Sequence, residues 1–466
     1  MLTQLHIKNF KAWKDTRPVR LAPLTVLFGT NSSGKSSFGQ FLLMLKQTVE
    51  SPDRKSVFNT GDANSAVNLG SYSEMVHKRD PQSKIAFSYE WQLAEPLSIT
   101  DPRSSQEFSG NQIAFNAEVG PAPSGQPGLT VHSLEYHLKN ANKETLRVGM
   151  HPIPSKIPSR KGKYEISAKP YKLTREQMKV WQPGAPVRFY GFPDEVTAYY
   201  QNADFVQDFN LATERLFKSI YYLGPLREKA ARLYHWSGGE PESVGFSGQN
   251  TVSALLSARE RQINDGYKKK RKRFEELIAS KLKEMGLIDS FKVNQISEKR
   301  REYEVKVKVP GAPDFVDLPD VGFGISQVLP VLVECFYAPA NSIIIMEQPE
   351  IHLHPKAQTC LADLFIDVIC AREDGHDRNI QLIVETHSEH FLRRLQRRIA
   401  EQAIENKKVA AYFAHLTNAE FRLDELEIDI FGNILNWPEN FFGDEVGDLV
   451  AMTEAAANRQ AKEKGE

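Results

Sequence analysis

Residues 24–36 read Leu24-Thr25-Val26-Leu27-Phe28-Gly29-Thr30-Asn31-Ser32-Ser33-Gly34-Lys35-Ser36. From Gly29 onward they fit G-x-x-x-x-G-K-[ST], and the pattern has a mechanism. Glycines let the backbone curl so that its N–H groups point inward at a polyphosphate, the lysine reaches the terminal phosphates, and the following hydroxyl holds Mg2+. The flanks agree. Leu24 to Phe28 is a short apolar, β-branched run that predicts a buried strand. Ser37 onward predicts a helix, with Phe38, Phe41, Leu42 and Leu45 at i, i+3, i+4, i+7. The start of that helix adds its dipole to an anion site. The candidate cofactor-binding residues are Gly29, Asn31, Ser33, Gly34, Lys35, Ser36 and Ser37, and the cofactors ATP and Mg2+, with Ser36 a metal ligand.

Working outward, the 466 residues predict two to three domains. The 59 basic residues balance the 59 acidic ones, which is not the overall signature of a constitutive nucleic-acid binder, so any such contact must come from local patches. Cys335, Cys360 and Cys370 form no C-x-x-C pair and fit a reducing cytoplasm. No apolar run approaches the roughly 20 residues of a membrane span. The expectation is a soluble, cytoplasmic protein without membrane contact.

Leu2 to Ile7 alternates and, with Leu21 to Phe28, predicts two strands leading into the phosphate loop. Ser51 to Asn68 is polar and reads as a loop. Residues 81–220 read as an irregular, β-rich insertion: Ile85 to Trp91 and Leu146 to Val148 are strand-like, while Ser98–Ser109, Pro121–Pro127 and Pro152–Lys163 read as loops. Residues 221–314 form a helical arm or lid, with Phe274, Leu277, Ile278, Leu282 and Met285 on one stripe. Residues 315–416 complete the domain begun by 1–80. Ile343 to Met346 and Gln381 to Val384 are buried strands of central parallel type. Ala357, Leu361, Leu364, Phe365 and Val368 stripe a helix between them. Residues 417–466 read as a small appendage with a disordered end. This alternation around a phosphate loop predicts an α/β fold with a mainly parallel sheet, antiparallel N-terminal strands and an inserted region.

Three further stretches carry chemistry. Ile343 to Pro355 is an apolar strand that ends in Glu347-Gln348-Pro349-Glu350. Carboxylates at the C-terminal edge of a parallel sheet sit where ligands bind, and one there can hold Mg2+ through water. A strand that merely ends in a polar loop is the plain alternative. Val384-Glu385-Thr386-His387-Ser388 follows its own apolar strand, so His387 can sense a terminal phosphate, although a lone histidine is as readily structural. Val321 to Gln327 runs Val-Gly-Phe-Gly-Ile-Ser-Gln into a helix, a second anion cradle or simply a helix cap.

In this order, LHIKNFKAW, GTNSSGKS, VGFGISQ, IIIMEQPEIHLHP and VETHS resemble the ABC-type P-loop ATPases, in the branch of SMC and RecF proteins and especially the OLD-like ATPases. The matches cover residues 1–80 and 315–395. The chain is similar in particular to bacterial OLD-like ATPases that end in a short domain with tryptophan-proline and double phenylalanine, here NWPENFF, and that lack a TOPRIM nuclease domain. The resemblance implies a head-to-tail dimer or higher homo-oligomer with ATP sandwiched between copies. Lys35 and Ser36 would bind phosphates and Mg2+, Glu347 would be the Walker-B acid and metal ligand, and Gly324, Ser326 and Gln327 would serve the other copy's ATP. His354 and Pro355 would lie in the loop crossing the interface, and His387 would be the switch histidine. One departure matters. The family places a catalytic glutamate after the Walker-B acid, and here that residue is Gln348, which cannot be a general base. Glutamine can still orient a water, as in slow GTPases. Slow hydrolysis follows as an expectation, with Glu350 the alternative base.

By the same resemblance, transporter cassettes are much more compact than the separation of Lys35 from Gly324, and with no membrane segment a transporter subunit is not expected. No sustained heptad pattern supports a long coiled-coil SMC protein. Leu426-Glu427-Ile428-Asp429 is not the D-x-D pair that an intrinsic nuclease of the OLD type needs. Relatives of this kind often act with a separately encoded effector protein in bacterial anti-phage defence. A DNA-repair or DNA-structure ATPase of RecF type is the alternative. For nucleic acid, Lys268 to Arg273 and the face Arg393, Arg394, Arg397 and Arg398 are the candidate patches, against plain solvated faces with acidic partners. Arg227, after an apolar strand, is a candidate nucleotide or interface arginine.

Overall fold

The computed structural model describes the chain except residues 123–127, 154–162, 267–268, 298, 418–419, 439–440, 442–444 and 465–466. Lys268 of the basic run, Phe442 of the double phenylalanine, and most of the two loops expected at 121–127 and 152–163 therefore lie outside the described residues.

A six-stranded sheet carries the phosphate loop. Its order is β10 (Ile220–Leu223), β11 (Ile343–Glu347), β12 (Gln381–Glu385), β4 (Leu24–Gly29), β13 (Val409–Thr417) and β14 (Glu420–Glu425). The first five are mutually parallel, and β14 returns antiparallel along β13. Strands buried on both faces need apolar residues at every position, as Ile343-Ile344-Ile345-Met346 shows. Ile343 and Ile345 enter one core with Leu27, Ile383, Ala410 and Tyr412. Ile344 and Met346 enter the other with Val26, Phe28, Val384, Ala411 and Phe413.

On the first face lies helix α1 (Lys35–Glu50). Phe38, Phe41, Leu42 and Leu45 are each 0% exposed, and such burial contributes about 1.5–3 kcal/mol per side chain. Above α1 curves an eight-stranded antiparallel sheet of β1 (Leu2–Phe10), β2 (Trp13–Asp15), β3 (Val19–Arg20), β5 (Ile85–Thr100), β6 (Glu107–Pro121), β7 (Leu129–Asn140), β8 (Lys143–Pro152) and β9 (Tyr164–Lys169). The expected boundary near residue 80 falls inside this sheet, because β5 pairs with β1 from Leu2↔Trp91 to Lys8↔Ala86. The β-rich region is thus a continuation of the N-terminal strands, not a body inserted beside them. Its strands are also longer than expected. Ser98 to Thr100 and Glu107 to Ser109 pair as strand. A bulge between Gln92 and Leu97, around Glu95-Pro96, breaks the alternation that sequence reading relies on. A second irregularity, between Leu2 and Gln4, lets both Leu2 and Leu5 reach the core. Gln381 joins the two sheets: its amide accepts from Leu2 N at 2.9 Å and donates to Leu2 O at 2.7 Å.

The second face is covered by α2 (Phe323–Tyr337), α3 (Pro355–Cys370) and α4 (Glu389–Ala400). The 221–314 region combines helices with strands, one of which the alternation from Val305 to Val309 already marks in the sequence. A short hairpin of Gln262–Asn264 and Lys272–Arg273 separates its helices, and strands Ser290–Gln295 and Glu302–Lys308 follow. At the C-terminus α5 (Glu445–Lys464) is a helix where disorder was expected. Its alanine-, lysine- and glutamate-rich composition has high helix propensity even though none of its described side chains is buried. Cys335, Cys360 and Cys370 are free thiols. Among the described residues no helix is long and apolar enough to cross a membrane.

Glu334, in the last turn of α2, is 0% exposed. Its Oε2 accepts from Val244 N at 3.0 Å, whereas Oε1 has no partner. Burial pushes the carboxyl up to about 7, so it is a neutral acid in the fold and a carboxylate in the unfolded chain across the interval up to that pH. The folded state binds the extra proton there, so this contribution to stability falls as pH rises toward 7. Glu334→Gln should therefore gain stability relative to wild type between about pH 5 and 8, by thermal melting across that range. A pH-independent difference would refute the assignment.

Candidate functional site

Gly29 and Gly34 shape the loop at the end of β4. Gly29 has φ 145°, and a Cβ there would sit 2.1 Å from the Ala414 carbonyl oxygen. Gly34 caps α1 at φ 92°, where a Cβ would meet Ala12 and Trp13. Thr30, Asn31 and Ser32 are exposed, Ser33 and Lys35 are buried, and Ser36 and Ser37 lie between those extremes. The Lys35 ammonium folds back on the loop, donating to Gly29 O at 3.0 Å and Thr30 O at 2.7 Å. Its burial lowers its pKa, while Glu385 and Glu350 work against that shift.

Parallel pairing brings the chemistry-bearing strand ends to this loop. Glu347 on β11 is the register partner of Glu385 on β12, and Glu385 pairs in turn with Leu27 on β4. Ser36 Oγ donates to Glu385 Oε1 at 3.1 Å, and Tyr222 Oη donates to Glu347 Oε1 at 3.0 Å. Burial first, then Glu385, pushes Glu347 up to about 7. Glu385 is raised as well, by burial and by Glu350.

Gln348 stands at φ 46°, a left-handed conformation uncommon outside glycine. Three hydrogen bonds hold it there: Gln348 N to Glu385 O at 2.8 Å, Ile351 N to Gln348 O at 3.1 Å, and Arg227 Nη2 to Gln348 O at 3.4 Å. Arg227 Nη2 also reaches Glu347 O at 3.3 Å. This guanidinium is 8% exposed, and its Nε and Nη1 lack partners. Burial lowers its pKa to about 10, against the attraction of Glu350. Glu350 Oε1 accepts from His387 N at 2.8 Å, so this carboxylate fixes the loop that carries His387. Burial and nearby Lys35 lower the pKa of His387, and a hydrogen bond with Gly29 opposes them.

Gly324, Ser326 and Gln327 are placed differently. Ser326 Oγ bonds to Phe323 O of its own turn at 2.8 Å. Gly324 lies against the His352 carbonyl, and Phe323 meets the His352 ring edge-to-face at 5.0 Å. Gln327 is buried with an unpartnered Nε2. Among the described residues none of the three hydrogen-bonds to residues 29–37. His354 caps α3, its Nδ1 accepting from Lys356 N at 3.3 Å, with Pro355 in the first turn.

The structure thus gathers Lys35, Ser36, Glu347, Gln348, Glu350 and His387 in one place. It adds Glu385 and Tyr222, which sequence reading passed over. The signal for Glu385 was present, since Leu-Ile-Val-Glu at 382–385 repeats the apolar-run-then-carboxylate pattern of 343–347. The arginine face is internally paired: Arg394 and Arg398 both reach Asp363, Arg393 reaches Glu389, and Arg397 reaches Glu401. In the other basic run Lys269 pairs with Asp367.

A phosphate loop, an adjacent strand-end carboxylate and five mutually parallel strands around them define a nucleoside-triphosphatase fold. The chain belongs to the AAA ATPase domain family, whose model matches residues 1–166 and 246–392. A second model, for a family of unknown function (DUF3696), matches residues 404–452. No curated protein matches the chain. Similar solved structures include an SMC head bound to the C-winged helix domain of ScpA, at 11% identity and TM-score 0.41, covering 92% of this chain and 98% of that one. The SMC head domain from Thermotoga maritima follows at 12% identity and TM-score 0.39, covering 92% and 99%.

Proposed function

We propose that this protein is a cytoplasmic, ATP-binding regulatory ATPase that hydrolyses slowly and works as a homo-oligomer. Gln348 carries the reading. It occupies the position after Glu347 on a loop held from three sides, and it has no basic group with which to take a proton from water. Glu350, the alternative base, is committed through Oε1 to the His387 amide. Lys35 and Ser36 hold the phosphates, and Ser36 and Glu347 hold Mg2+. The donors at this point are hydroxyl and carboxylate oxygens, the hard set that Mg2+ takes. Gly324, Ser326 and Gln327 complete the site of a second copy, which accords with the absence, among the described residues, of hydrogen bonds between them and this chain's own residues 29–37. The OLD-like resemblance supports a separately encoded effector protein as partner, in anti-phage defence. The acidic pairing of Arg393, Arg394, Arg397 and Arg398 weighs against the RecF-type alternative.

Sizing the purified protein with and without ATP and Mg2+ tests the reading. Wild type should shift to a larger species with ATP, and Lys35→Ala should not. A monomer indifferent to ATP, with turnover as fast as that of a glutamate-containing ATPase, would overturn it. Salt-dependent DNA binding would restore the repair alternative.

A further inference from the structure

The Ser36 hydroxyl, expected to share Mg2+ with Glu347, is hydrogen-bonded instead to Glu385 at 3.1 Å. The topology explains why. In the order β11, β12, β4, it is β12 that borders the phosphate-loop strand, so Glu385 lies nearer the loop than Glu347 does. Glu347 is held from its other side by Tyr222. A second observation points the same way. Glu350 is 8% exposed, acts electrostatically on both Glu385 and Lys35, and keeps its Oε2 without any partner. Buried oxygens of one sign thus converge beside the loop, with the Lys35 ammonium turned back onto its own backbone.

Among the described residues no group of three or more His, Cys, Asp or Glu side chains is arranged to hold a metal by itself. One hydroxyl and two carboxylates are a partial oxygen shell, of the kind Mg2+ completes with substrate phosphates.

We propose that Glu385 is a carboxylate of the divalent-cation site, paired with Glu347 around Ser36, and that it makes nucleotide binding depend on the cation. This rests on the phosphate-loop reading above. Without the cation, Glu385 occupies the Ser36 hydroxyl and its charge repels the incoming phosphates. A cation held by Ser36, Glu347 and Glu385 would offset that charge and supply the attraction for the phosphates. Glu385 is therefore the residue that couples metal to nucleotide, a role separate from that of a Walker-B acid.

The test is the affinity of the full chain for a fluorescent, non-hydrolysable ATP analogue, measured in EDTA and in excess Mg2+. Wild type should bind far more tightly with Mg2+. Glu385→Gln should bind about 10–100-fold more weakly than wild type in Mg2+, the scale of losing a metal-site carboxylate. In EDTA it should bind more tightly than wild type, so that the two effects have opposite sign. A purely structural role would shift both affinities in the same direction, and equal losses or no change would overturn the proposal. Glu385→Cys offers a gain of function: binding should be supported by Cd2+ in preference to Mg2+, and an unchanged Mg2+ preference counts against the proposal. If wild type itself binds no analogue in either condition, the phosphate-loop reading fails, which is distinct from a failure of Glu385.

Discussion

Gln348→Glu should raise single-turnover ATP hydrolysis by about two orders of magnitude, the lower part of what a positioned general base contributes. The substitution changes little besides the proton-accepting atom. The backbone at residue 348 is fixed by Glu385 O, Ile351 N and Arg227 Nη2, so a glutamate there would start from the same place and the same left-handed conformation. The nearby Arg227 guanidinium, with two unpartnered nitrogens, favours the added negative charge. Gln348→Ala should lower turnover, because no side chain then orients the water. Glu350→Gln should leave the chemical step nearly unchanged, since a glutamine Oε1 still accepts from His387 N. Phosphate release in a single turnover separates these effects from product dissociation. If Glu350→Gln abolishes hydrolysis while Gln348→Ala does not, Glu350 is the base and the slow-switch reading falls. Arg227 enters the same experiment as a positioning residue. Removing its side chain frees the carbonyls of Glu347 and Gln348, which should reduce turnover in wild type and at least as much in Gln348→Glu, where the charge it favours is also lost.

The parts of this site that sequence reading located are those set by local rules. A phosphate loop is one contiguous turn, and α1 declares itself by a 3.6-residue stripe whose members are fully buried. Glu347, Gln348, Glu350 and His387 stand out in the sequence because they lie within four residues of the end of a continuous apolar run. Glu385 and Tyr222 were passed over because their importance depends on strand order. Nothing local in Gln381 to Glu385 states that this strand lies between β11 and β4, yet that placement puts Glu385 against Ser36. Non-local pairing also hid the antiparallel sheet. β1 finds its partner more than seventy residues later, and the bulge around Glu95-Pro96 makes one long strand look like a strand followed by a loop. The C-terminal end is a different case: its polar, alanine-rich last residues read as disordered, yet the same residues favour helix.

Arg378→Met is expected to cost about 3–5 kcal/mol of folding stability, the range for removing one partner from a buried charged network. Arg378 is 1% exposed. Its Nη1 donates to Cys335 O at 3.1 Å and its Nη2 to Phe336 O at 2.9 Å, with Ala338 O also within reach, and Nε lies 3.3 Å from Glu373 Oε2. These carbonyls belong to the last turn of α2 and the residue after it, the group that a helix leaves unsatisfied and that carries the negative end of its dipole. Elsewhere water satisfies such groups; here the helix end is buried, and the Arg378 fork does so together with Arg261, whose Nη1 donates to Tyr337 O at 2.8 Å. The same residue's carbonyl accepts from Asn341 N at 2.7 Å, just before β11, and its own chain runs directly into β12. Arg378 therefore ties the end of the helix that begins at Gly324 and Ser326 to the starts of both strands that end in Glu347 and Glu385. Methionine fills much of the volume but leaves the carbonyls unpaired and Glu373 with Arg261 alone. Lysine keeps the charge without the fork and should recover only part of the loss. Denaturant unfolding of the three proteins measures this directly, and a loss below about 1 kcal/mol for Arg378→Met would show that water replaces the guanidinium, contrary to its burial. Because the cost falls on the junction between α2 and the site strands, nucleotide affinity of the folded Arg378→Lys protein should fall together with its stability, whereas Gln348→Glu should change turnover with stability held.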